Sequence, residues 1–125
     1  MISKVGQIML YVNDQDASLK FWTEKLGFIL VSEENHGPMK WFEIAPKDDA
    51  QTSIILHNKE LIAQMQPQLN LDTPSLLFFS EDLESLYAEF KEKDITVGDL
   101  VTMPTGRVFN FADDEGNYFA ILEKK

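Results

Sequence analysis

The chain has 125 residues, 44% of them hydrophobic, and no cysteine. That length supports one domain with a core built without cross-links, and the lack of thiols excludes disulfides, iron–sulfur clusters, thiolate zinc sites and cysteine nucleophiles. Eleven basic residues against 21 acidic ones give a net charge of −10, so the clustered cations that phosphate neutralisation needs are missing and nucleic-acid binding is not expected.

In chain order, residues 1–6 carry no apolar stretch of the kind that heads a secreted chain. The longest apolar runs, such as residues 76–79, fall far short of the roughly 20 residues that span a bilayer. A cytoplasmic protein with no membrane partner is expected. Residues 7–14 alternate as a strand and end in an acidic turn. Residues 17–26 follow as an amphipathic helix, with Leu19, Phe21, Trp22 and Leu26 on its buried stripe, Asp14 or Asp16 as cap and Gly27 as stop. Strand-like runs at 28–33, 39–45 and 52–57 are separated by Asn35-His36-Gly37-Pro38 and Pro46-Lys47-Asp48-Asp49 turns. Residues 59–73 read as a linker with room for a helical turn.

The series then repeats. A strand at 75–82 leads to a helix at 83–93, in which Leu83, Leu86, Tyr87 and Phe90 keep the i, i+3, i+4, i+7 period, and Asp94 stands where Gly27 stood. Strands at 96–101, 107–112 and 117–123 complete it. The prediction is a single α+β domain of two tandem βαβββ modules, one at about 3–58 and the other at about 74–125.

Alternation assigns faces. Ile8, Leu10 and Val12 oppose Gln7, Met9 and Tyr11; Phe42 and Ile44 oppose Trp41 and Glu43; Ile54 and Leu56 oppose Ser53, Ile55 and His57. In the second module Phe109 and Phe111 oppose Val108 and Asn110, and Phe119 and Ile121 oppose Tyr118, Ala120 and Leu122. The purely apolar faces are expected to carry the helices. The others mix aromatics with isolated polar groups, as a small-molecule cleft does, or as a wet sheet face or dimer interface does. The candidate cleft residues are Gln7, Tyr11, Trp41, Glu43, His57 and Asn110, with Trp41 and Tyr11 to stack on an aromatic or cationic ligand and Glu43 to pair with an amine. His36 is expected on the turn surface. Asp113-Asp114-Glu115 reads as a hairpin turn, without the spacing of a calcium loop.

Val12-x-Asp14 leading to Phe21-Trp22 and Leu26-Gly27-Phe28, with the close running from Thr105-Gly106 through Phe111-x-Asp113 to Gly116-Asn117, resembles the vicinal oxygen chelate superfamily. That superfamily includes glyoxalase I, fosfomycin- and bleomycin-resistance proteins and extradiol dioxygenases. The resemblance implies that the two modules form a half-open mixed β-barrel with helices on its outer face, and that the protein is a homodimer. It places the enzymes' metal-ligand positions on Gln7, Ile55, Ser75 and Ala120. Only Gln7 keeps a good donor, so neither metal nor other cofactor is expected and the reading is a metal-independent small-molecule-binding protein. The alternative is a metal-dependent lyase or isomerase of the glyoxalase I type, for which Gln7, Glu43 and His57 are the improvised ligands.

Overall fold

Strand pairing follows one order twice. The computed structural model describes residues 1–124, and the chain divides into two compact units, Met1–Pro74 and Ser75–Lys125. Lys125, at the end of the second predicted module, lies outside the described residues. The first unit holds β1 (Gln7–Val12), α1 (Gln15–Lys20) continuing into a π-helical turn (Phe21–Lys25), β2 (Ile29–His36), β3 (Met39–Ala45), β4 (Ser53–Asn58) and α2 (Lys59–Met65). The second holds β5 (Leu77–Ser80), α3 (Leu83–Glu92), β6 (Val101–Met103), β7 (Gly106–Ala112) and β8 (Tyr118–Glu123). The sheets run β1-β4-β3-β2 and β5-β8-β7-β6, each with its first strand parallel to its last and the other pairs antiparallel. The architecture is therefore α+β, two tandem βαβββ units.

Local chemistry starts and stops the helices. The Asp14 carboxylate accepts from the Ala17 N–H at 3.1 Å, and Asp82 accepts from the Ser85 N–H at 3.2 Å, each relieving an orphan donor of a first turn. After each helix the chain turns through a left-handed residue at the same place in the repeat, Gly27 at φ +77° and Asp94 at φ +59°. The 59–73 segment contains more than a helical turn: α2 has seven residues, capped by Asn58, which accepts from the Leu61 N–H at 2.9 Å.

The apolar strand faces form the cores. Leu10, Val12, Phe42, Ile44, Ile54 and Leu56 are buried in the first unit, as is Trp22 from the π-helical turn. In the second unit Phe90 of α3 meets Phe109 and Phe111 edge-to-face, at centroid distances of 5.6 and 5.4 Å. Arg107, the only arginine, is spent on structure: it donates to both carboxylate oxygens of Glu123, which also accepts from the Leu83 N–H at the start of α3. Asp113 is buried, and its carboxylate accepts from the N–H groups of Glu115 and Asn117, so the acidic triplet is a hairpin turn held by its first residue.

Three strands depart from expectation. β5 keeps only Leu77–Ser80 of the expected 75–82. β6 has three residues, because residues ahead of it make only a bridge from Val97 to Phe111. β2 runs to His36, past the predicted end at 33, because its pairing with β3 continues to His36 opposite Met39 at the two-residue Gly37-Pro38 turn, and a bulge between Leu30 and Ser32 resets its phase. Among the described residues no helix is long and apolar enough to cross a membrane.

Candidate ligand-binding site

The bulge matters because it decides what β2 contributes to the open face of the first sheet. Register across the four strands lays the side chains of that face in rows. Met9, Ile55, Glu43 and Ser32 are successive partners across β1, β4, β3 and β2, and Tyr11, His57, Trp41 and Glu34 form the next row. His36 follows Glu34 on the same face, so its ring comes over Trp41.

The result is a line of four rings across the whole sheet. His36 stacks on Trp41 at 4.9 Å between centroids and 15° between planes. Trp41 meets His57 at 5.7 Å and 50°, and His57 stacks on Tyr11 at 5.8 Å and 19°. His36 is thus no part of a simple turn surface, although its side chain is 60% exposed and its Nε2 lies 3.2 Å from Glu34. The alternation of Ser32, Glu34 and His36 up to Gly37-Pro38 was the available sequence signal, hidden by the extra residue at the bulge.

Beside the rings lies a concavity of about 390 Å³. Trp41 and His57 form one wall, Met9, Met39 and Ile55 are apolar lining, and Gln7, Ser32, Glu34 and Glu43 supply polar groups. Of the six candidate cleft residues, Gln7, Trp41, Glu43 and His57 line it together. Tyr11 stands behind His57 at the end of the ring row. Asn110 belongs to the second unit, on β7 opposite Ala120 of β8.

Two features that sequence reasoning missed hold the site in shape. Glu43 accepts from Ser53 Oγ at 2.6 Å and from Ser32 Oγ at 3.4 Å, so a serine on each neighbouring strand fixes its carboxylate. Gln15, on α1, is 9% exposed, and its Nε2 donates to the carbonyls of Lys40 at 2.7 Å and Leu56 at 2.9 Å. Those peptides immediately precede Trp41 and His57. Burial holds the His57 imidazole below its ordinary value of 6.5, because the partly dry site disfavours the charged ring.

Two of the four ligand positions implied by the resemblance carry no donor atom. Ile55 is 1% exposed, lies between Met9 and Glu43 in register, and carries no donor atom. Ala120 has none either, and lies between Leu77 and Asn110 in its own sheet. As for the improvised set, Glu43 is opposite Ile55 and His57 opposite Trp41 in register, and each Glu43 oxygen accepts from one serine. Among the described residues no group of three His, Cys, Asp or Glu side chains comes together.

Comparison with known proteins adds to this geometry. Residues 4–121 match the model of the Glyoxalase/Bleomycin resistance protein/Dioxygenase superfamily. The chain is 31% identical to the uncharacterised protein YetH of Bacillus subtilis (strain 168), covering 98% of this chain and all of that one. Its fold is similar to TnmS3, an antibiotic-binding protein from Streptomyces sp. CB03234, with a TM-score of 0.83, 26% identity and coverage of 99% of this chain and 98% of that one. A superfamily member from Sphaerobacter thermophilus DSM 20745 is similar at a TM-score of 0.82 and 25% identity, with 98% of each chain covered.

Proposed function

The chain belongs to the glyoxalase/bleomycin resistance protein/dioxygenase superfamily, and from that premise we propose that it binds a small organic molecule with a flat aromatic or cationic portion, without a catalytic metal, as a homodimer. The observation that carries this reading is the line of rings from His36 through Trp41 and His57 to Tyr11, of which Trp41 and His57 line a concavity of mixed apolar and polar character. A flat ligand gains edge-to-face and stacking contacts there, and a cationic one meets Glu43 and Glu34. The antibiotic-binding description of TnmS3 supports sequestration as the role. Metal independence is supported by Ile55 and Ala120, where the superfamily's enzymes need donor atoms. Dimerisation is supported by the second sheet, which leaves Leu77, Phe79, Val101, Met103 and Tyr118 exposed.

The test is titration of the purified protein with acridine orange, umbelliferone and quercetin, followed by calorimetry. At least one should bind, and Trp41→Ala should weaken that binding about tenfold. If none binds, or if Trp41→Ala binds as well as the parent chain with its melting temperature intact, the reading is wrong.

A further inference from the structure

The open face of the first sheet does not end at Glu43. A second concavity, of about 500 Å³, lies on its other side and shares Gln7 and Glu43 with the aromatic one. The two adjoin at Gln7 and Glu43, which line both. The lining changes character across these residues. The aromatic lobe has rings and methionines; the second lobe is lined by Lys4, Lys47, Asp48 and Gln51, besides Gln7 and Glu43.

This lobe has tethered walls. The segment ahead of β1 is pinned along β4, where Thr52 Oγ1 donates to the Val5 carbonyl at 2.7 Å and the Ser53 N–H donates to the Gly6 carbonyl at 3.0 Å. The opposite wall is the connection from β3 to β4, which carries Lys47 and Asp48. Among the described residues the side chains of Lys4, Gln7 and Gln51 make no hydrogen bond or ion pair within the chain. They are donors without an internal acceptor.

Charge selects what such a lobe takes. Two lysines and two carboxylates line it, and Lys47 also lies 3.7 Å from Asp49, so neither sign of charge goes unopposed there. An anionic group reaching the lysines also meets Glu43 and Asp48, and an ammonium reaching the carboxylates also meets Lys4 and Lys47. An uncharged, hydroxyl-rich group escapes both conflicts, because each hydroxyl donates and accepts at once. It takes hydrogen bonds from the lysines and glutamine amides and gives them to the carboxylates.

We infer that the second lobe is a sugar subsite, and that the ligand class of the two adjoining lobes is the aryl glycoside: a planar aglycone against the rings and a glycosyl group beyond Glu43. This rests on the aromatic lobe binding flat molecules. The experiment compares umbelliferone with its glucoside skimmin, and quercetin with its glucoside isoquercitrin, by calorimetry on the full chain. The glucosides should bind about tenfold more tightly than their aglycones, as two or three additional net hydrogen bonds provide. Lys4→Ala and Gln51→Ala, both outside the aromatic lobe, should remove most of that advantage and leave aglycone binding unchanged. Glucosides that bind no better than bound aglycones overturn the sugar subsite and leave the aromatic lobe standing. An advantage that survives both substitutions overturns it too. If no aglycone, no glucoside and no acridine orange binds, the aromatic reading itself falls.

Discussion

His36 covers one face of Trp41 with its own ring, nearly parallel and 4.9 Å away. That is where a flat ligand would lie. The histidine sits at the end of β2, largely solvated, with its Nε2 3.2 Å from Glu34, so displacing it costs little. His36→Ala should therefore bare the indole and tighten binding of a planar molecule by about three- to tenfold, as one ring stack is worth roughly 0.5–1.5 kcal/mol. Fluorescence titration with acridine orange reads this, and weaker binding would mean that the imidazole is part of the site. His57 behaves differently because it is partly buried between Trp41 and Tyr11. Its folded-state pKa is lowered from 6.5 by desolvation. The unfolded chain then binds the proton more readily than the folded one, so this contribution to stability is complete above about pH 6.5 and is lost as pH falls through the lower folded value. Melting curves between about pH 7.5 and pH 5 should show a decline that His57→Gln makes shallower; equal slopes in the two proteins would contradict it.

At the scale of elements, α1 is coupled to the site through one side chain. Gln15 reaches from the helix to carbonyls on β3 and β4, and those strands present Trp41 and His57 at the next residue. Gln15→Leu keeps the volume but removes both donors. Two carbonyls lose their partner, at a cost of roughly 2 kcal/mol, and the spacing of the two rings loses its restraint. Chemical denaturation should show the stability loss, and acridine orange should bind more weakly than to the parent chain at a temperature where both are folded. An unchanged denaturation midpoint would show the clamp to be dispensable. The bulge in β2 belongs to this scale as well. It rotates Ser32, Glu34 and His36 onto the open face, where they supply a clamp on Glu43, a carboxylate and a ring.

For the whole molecule, the same βαβββ unit occurs twice with unequal equipment. The first unit carries the ring row and the two concavities. The second spends its charged groups on itself, in the Arg107–Glu123 pair and the Asp113 turn, and exposes apolar side chains such as Phe79 and Leu77. A metal test belongs to this scale too, because a ligand set has to be assembled from several strands. Purified, chelator-treated protein titrated with Ni²⁺, Zn²⁺ and Mn²⁺ should show no heat and no rise in melting temperature. Stoichiometric binding with a stabilised fold would revive the metal-dependent alternative and direct attention to Gln7, Glu43 and His57.

Much of this was legible in the chain. Strand alternation, helix period, capping aspartates and the repeat are local patterns, set by side chains a few residues apart, and they yielded the architecture, the buried faces and the co-facing of Gln7, Trp41, Glu43 and His57. Local pattern alone missed whatever depends on pairing between distant strands. The bulge at Val31 shifts a phase that alternation assumes constant, so His36 passed for a turn residue. Gln15 reads as an ordinary polar helix position until the sheet beneath it supplies two carbonyls. Ser53 and Ser32 become a carboxylate clamp only once register sets them on either side of Glu43. Periodicity determined which side chains share a face wherever the pleat is unbroken; only the tertiary register decided what the bulged β2 presents and which side chains touch, because hydrogen-bonded neighbours in a sheet are chosen across the fold and not along the chain.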